Sequence, residues 1–138
     1  MQAKPLFDIL ILMNERKKYL KGKRVLVMGL GQLGGGVATT NWLIKHGADV
    51  TVTDLRTKDE LKDSLKKISK KVPGIFGAHR KKDIAESDML VINPAVRLHN
   101  PLVRYAREQG VSVENELTLF FRFVGSPLIG VTGTRGKT

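Results

Sequence analysis

Residues 24–34 read Arg24-Val25-Leu26-Val27-Met28-Gly29-Leu30-Gly31-Gln32-Leu33-Gly34. Val25–Met28 is apolar without alternation, the pattern of a strand buried on both faces. Glycine follows at once. Gly29, Gly31 and Gly34 allow a tight turn and let a ligand approach the backbone, and a helical pattern opens directly behind them. The N-terminus of such a helix offers free N–H groups and the positive end of its dipole to an anion. Asp54 closes the next β-branched run, Asp49-Val50-Thr51-Val52-Thr53-Asp54. It stands about 25 residues beyond Gly29, near the spacing expected of a carboxylate that meets a ribose. Turn, helix and distal acid together point to a diphosphate and a ribose. A dinucleotide and a UDP-sugar both carry those groups, and the glycine pattern does not choose between them.

The flanking segments repeat the alternation of strand and helix. Val37 to His46 reads as a helix stopped by Gly47, with Trp42 turned to the core and His46 at its C-terminal end. A lysine-rich helical pattern spans Leu61, Leu65 and Ile68. Then come a short Ile75-Phe76 strand and a strong strand over Asp88–Asn93. Pro101–Gln109 is expected to be a helix, Val111–Val113 a short strand, Leu117–Phe123 a helix and Pro127–Thr132 a last strand. This order predicts a doubly wound α/β domain of Rossmann-like type with a mainly parallel sheet over residues 21–125. Residues 1–20 are expected to be a leading helix or arm.

Composition limits the alternatives. The chain has 138 residues, 41% hydrophobic, no cysteine and a formal net charge of +11. It is long enough for one real core and too apolar for a disordered chain. No apolar run reaches the roughly 20 residues of a membrane span. Asp8 interrupts the apolar stretch Leu6–Met13, and no small-residue cleavage site follows it, so it is not read as a signal peptide. The absence of cysteine fits a cytoplasmic protein. Lys58, Lys62, Lys66, Lys67, Lys70 and Lys71 fall on the wet side of their helical pattern. They are read as a solvated surface rather than a nucleic-acid interface, which would need aromatic platforms. His79 reads as a loop or edge residue, and no cluster has metal-ligand spacing.

A second phosphate signal closes the chain: Gly133-Thr134-Arg135-Gly136-Lys137-Thr138, directly after an apolar run. Gly-Lys-Thr is the working end of a P-loop. Its backbone N–H groups would cradle phosphates, Lys137 would reach the β/γ oxygens, and the Thr138 hydroxyl would hold Mg²⁺. Val131 stands where the strict pattern has glycine, and Gly130 and Gly133 bracket it, so the match is to a variant.

Three stretches resemble the Mur ligases: Lys21–Gly31, Gly47–Asp54 and Gly130–Thr138. The resemblance covers roughly residues 20–138, and two phosphate loops in this order are its most specific part. Asn93-Pro94-Ala95-Val96 lies where that family has Ser-Pro-Gly and an aliphatic residue. Glu114-x-Glu116-Leu117 is similar to its acidic pair before a helix. The resemblance implies a first domain for the UDP part of a UDP-N-acetylmuramoyl substrate, a second for ATP and a third for the amino acid. Residues 126–138 would then be the opening strand and P-loop of a truncated ATP domain. The implied reaction phosphorylates the substrate carboxylate with ATP, and the amine of D-glutamate attacks the acyl phosphate. A chain ending at Thr138 is expected to bind but not catalyse. By resemblance Gly29, Gly31, Gln32, Leu33 and Gly34 meet diphosphate and uridine. Asp54, Leu55 and Arg56 contact uracil and nearby polar groups, Asn93, Pro94 and Ala95 line the same site, and Gly133–Thr138 hold ATP, with Thr138 on magnesium. Arg135, Ala95 and Leu33 depart from the residues usual in that family. The competing reading from the first loop and Asp54 is an NAD-binding domain of a dehydrogenase or redox-sensing regulator, which has no use for a second phosphate loop.

Overall fold

The computed structural model describes residues 18–126 and 128–132. Strands and helices alternate throughout: β1 (Arg24–Met28), α1 (Gly35–Lys45), β2 (Asp49–Asp54), α2 (Lys62–Lys66), β3 (Gly74–Phe76), α3 (Lys81–Ala85), β4 (Met89–Ile92), α4 (Pro101–Glu108), β5 (Ser112–Asn115) and α5 (Glu116–Phe123). The five strands form one sheet in the order β3-β2-β1-β4-β5. All four pairings are parallel, with Val25 opposite Val50 on one side and Met89 on the other. Strand order reverses between β1 and β4. In sheets of this kind the crevice at the carboxyl ends of the two strands flanking the reversal is where ligands sit.

The unbroken apolar runs have a simple cause. Alternate residues of β1 serve two different cores. Val25 and Val27 join Leu43, Val50, Val52 and Leu119 on one face, while Leu26 and Met28 join Ile84, Leu90, Val103 and Ala106 on the other. Both faces are covered, so no position of the strand interior is left for a polar residue.

Two expectations needed correction, and one element had not been expected. The lysine-rich helix is one short turn of helix at Lys62–Lys66. Its start is taken by a local turn in which Glu60 accepts from Thr57 N at 2.7 Å and Thr57 Oγ1 at 2.8 Å. Its end is diverted to α1, because Asn41 donates to Lys67 O at 2.9 Å and accepts from Ser69 N at 2.7 Å. The sidedness of the segment holds: Leu61 is fully buried and the six lysines are exposed. The sequence also gave no sign of α3, whose one buried apolar anchor is Ile84. Finally, residues 128–132 are irregular and exposed rather than a strand. Among the described residues no neighbouring strand pairs with them, and a strand exists only by pairing. Residues 1–17, most of the predicted arm, lie outside the described residues, as do Gly133–Thr138. Among the described residues no helix is long and apolar enough to cross a membrane.

Candidate functional site

The glycine turn leaves β1 at the carboxyl edge, beside the reversal point. Gly29 adopts φ +89°, and a side-chain carbon there would come within 2.9 Å of Asn93 Cβ, so only glycine lets the β1 and β4 ends pack this closely. Gly29 N donates to Thr53 O at 2.8 Å, which ties the turn to the end of β2. Asp54 is 2% exposed. One carboxylate oxygen accepts from Gly31 N at 2.9 Å and the other from Arg56 N at 2.9 Å, with Arg56 Nη1 at 3.5 Å. Both carboxylate oxygens thus bond within the chain, and Asp54 staples the glycine turn. What its loop presents to solvent is the exposed Leu55 side chain and the half-exposed Arg56 guanidinium.

Further anchors hold the turn from the α2 side. Ser64 Oγ donates to Gly31 O at 2.8 Å, and Gln32 Nε2 donates to Glu60 O at 2.9 Å. Leu33 at the tip is fully exposed. Gly34 is the N-cap of α1 at φ +97°, with no side chain capping the helix and no acidic residue in its first turn. The opening amides of an eleven-residue helix thus face the crevice with the dipole's positive end. Gly36 makes the closest approach. A side-chain carbon on it would lie 2.2 Å from Leu30 O, so α1 rests directly on the turn's backbone.

Asn93 closes the opposite wall. Its N–H donates to Met28 O at 3.0 Å, and its side-chain oxygen accepts from Ala95 N at 3.0 Å, which sets the exposed Pro94-Ala95 turn beside the glycines. Glu114 and Glu116, paired in the sequence, part company in space. Glu114 is buried and ion-paired with Arg122, while Glu116 accepts from Thr39 Oγ1 at 3.0 Å next to Gly35. Four exposed leucines stand on this edge, one from each of four loops or helix starts: Leu33, Leu55, Leu98 and Leu117.

His79 lies in the loop after β3, as expected, and is tied to the end of β2. The Thr53 hydroxyl donates to Ala78 O at 3.2 Å and meets His79 Nδ1 at 2.9 Å. Burial lowers its pKa below the ordinary 6.5, against an opposing pull from nearby Asp54. Among the described residues no three His, Asp or Glu side chains converge as a metal site. The structure thus brings Gly29, Gly31, Gln32, Leu33, Gly34, Asp54, Leu55, Arg56 and Asn93 to one edge, with Pro94 and Ala95 beside them. Gly133, Thr134, Arg135, Gly136, Lys137 and Thr138 lie outside the described residues. Sequence reading missed Gly36, Ser64 and Glu60. Only the triple glycine Gly34-Gly35-Gly36 hinted that the contact glycine falls beyond the motif.

Fold and site define a doubly wound α/β domain with a glycine turn stapled at its switch point. The family model for the Mur ligase MurD-like N-terminal domain matches residues 23–115, and the chain belongs to that family. It is 46% identical over 120 residues to the UDP-N-acetylmuramoylalanine–D-glutamate ligase of Roseiflexus sp. (strain RS-1), a match covering 86% of this chain and 26% of that protein. The chain thus spans about a quarter of the length of this relative. Among solved structures it is similar to a pseudomurein peptide ligase type C from Methanothermus fervidus, with TM-score 0.59, 22% identity, and coverage of 72% of this chain and 20% of that one. The shikimate dehydrogenase of Mycobacterium tuberculosis shares the fold at TM-score 0.51 and 19% identity, over 86% of this chain and 58% of that one. The fold by itself therefore does not separate ligase from dehydrogenase.

Proposed function

We propose that this chain is the domain that holds the UDP portion of UDP-N-acetylmuramoyl-L-alanine in a cytoplasmic peptidoglycan-precursor ligase. The observation that carries the reading is the glycine turn held by Asp54 at the switch point of a MurD-like N-terminal domain. The uncapped start of α1 would receive the diphosphate. Leu33, Leu55 and Arg56 would border the uridine, and the Asn93-Pro94-Ala95 wall would close the other side. In the longer ligase, the muramoyl-alanine carboxylate would be activated as an acyl phosphate and attacked by the amine of D-glutamate. ATP and Mg²⁺ supply that activation, and Lys137 and Thr138 of the Gly133–Thr138 loop are the residues that would hold them. On this reading residues 21–125 bind the UDP-sugar. The NAD reading keeps the glycine turn, Asp54 and the shared fold in its favour and leaves the Gly133–Thr138 pattern without a use.

Calorimetric titration of the chain with UDP-N-acetylmuramoyl-L-alanine, and separately with NADH, tests the proposal. Binding of the UDP-sugar alone is expected. Asp54→Ala should weaken it by about 10- to 100-fold, since the main-chain amides of Gly31 and Arg56 lose their acceptor and the turn loosens. Lys137→Ala should leave it unchanged. Binding of NADH alone, or loss of UDP-sugar binding in Lys137→Ala, would overturn the assignment of the two loops.

A further inference from the structure

A groove of about 540 Å³ runs between α1 and α5, lined chiefly by Ala38, Trp42, Leu119, Phe120, Phe123 and Val124. Its polar groups sit at the ends, Thr39 and Glu116 near the glycine turn and His46 at the far end. Phe120 is half exposed. We propose that the occupant of this groove is the chain's own N-terminal stretch, Leu6–Met13.

Three observations select it. The first is position. The described chain begins at Lys18, and residues 18–20 are helical, with Leu20 fully buried in the core. The Tyr19 ring lies 6.0 Å from that of Phe123, which in turn stands edge-on to Trp42 at 5.1 Å. Whatever precedes Lys18 therefore departs from the groove's own wall. The second is pattern. Leu6, Ile9, Leu10 and Met13 recur at helical spacing, and Leu20 falls on the same face seven residues beyond Met13. Asp8 and Glu15 fall on the opposite face. The third is reach. Twelve residues separate Leu6 from Lys18, about 18 Å as a helix, whereas the eight residues of α5 are about 12 Å long. A second copy of the chain is the weaker candidate. A tethered segment acts at an effective concentration of about millimolar, which a free copy does not match at ordinary protein concentration.

The composition makes the test clean, because Trp42 is the one tryptophan and the chain has no cysteine. Trp42 emission and acrylamide quenching are measured in the 138-residue chain, in Leu10→Asp/Met13→Asp and in the outward-face control Glu15→Lys. The double variant should shift Trp42 emission to the red and raise its quenching, while the control leaves both unchanged. Circular dichroism establishes that each variant keeps its fold. Independently, Met13→Cys with Phe120→Cys should form a disulfide within one chain in dilute protein, and Glu15→Cys with Phe120→Cys should not. Unchanged Trp42 signals in a folded double variant, together with no crosslink, would overturn the proposal. So would a crosslink that joins two chains, or Trp42 protection lost on dilution, which would assign the groove to a second copy.

Discussion

Thr40 is fully buried on α1, and its hydroxyl has no hydrogen-bond partner among the described residues. An unpaired buried hydroxyl costs stability, and valine has nearly the same shape without it. Thr40→Val should therefore raise the unfolding free energy by about 1 kcal/mol, read from the denaturant midpoint; a fall would mean that the hydroxyl is satisfied after all. Asp54 shows how far single residues can be read from sequence. Its spacing from Gly29 marks a carboxylate at the right strand end. Spacing carries no information about where the two oxygens point, and both are taken by main-chain N–H groups, Gly31 and Arg56. Position was legible and the contacts were not, because the contacts depend on how three loops converge.

Between turn and helix, Gly36 bears the contact. Alanine there would put a methyl group 2.2 Å from a main-chain oxygen, which cannot swing aside as a side chain can. Gly36→Ala should destabilise by about 2–3 kcal/mol, whereas alanine at Gly35 meets only the movable Glu116 carboxylate. Equal melting temperatures for the two variants would contradict this. Strands β1 and β4 were legible because burial on both faces writes an unmistakable apolar run, and β2 because its interior residues are β-branched. The length of α2 was not, because its end is set by side-chain bonds from elsewhere, Asn41 to Lys67 and Ser69, and α3 was not, because its single buried apolar anchor, Ile84, makes no periodic pattern. The P-loop pattern at Gly133–Thr138 remains a reading of the sequence, outside the described residues.

Across the whole sheet, Arg24 and Asp88 clamp β1 to β4 at the amino edge. Asp88 accepts from Arg24 N at 2.9 Å, Nε at 3.2 Å and Nη2 at 2.7 Å. These bonds, from the Arg24 side chain first and its amide next, hold the Asp88 carboxyl down to about 2 from the usual 3.8. The sign follows from a depressed folded-state value. The clamp's contribution is complete above pH 3.8 and is lost as pH falls toward 2. Asp88→Asn should therefore flatten the loss of stability over that interval. High salt should shrink the difference, because both side chains are substantially exposed. Melting curves recorded between pH 5 and pH 2 on the two proteins, with about 1 M salt as the second condition, check both points. An Asp88→Asn curve parallel to the parent's would sink the assignment.

The leucines on the carboxyl edge have a consequence in heat. Leu33, Leu55, Leu98 and Leu117 keep large apolar surfaces in water on a turn, loops and a helix start already fixed by hydrogen bonds. A ligand seated there dehydrates them without reorganising the backbone. Its binding then carries a negative heat-capacity change, and the enthalpy of association becomes steadily more exothermic as the temperature rises.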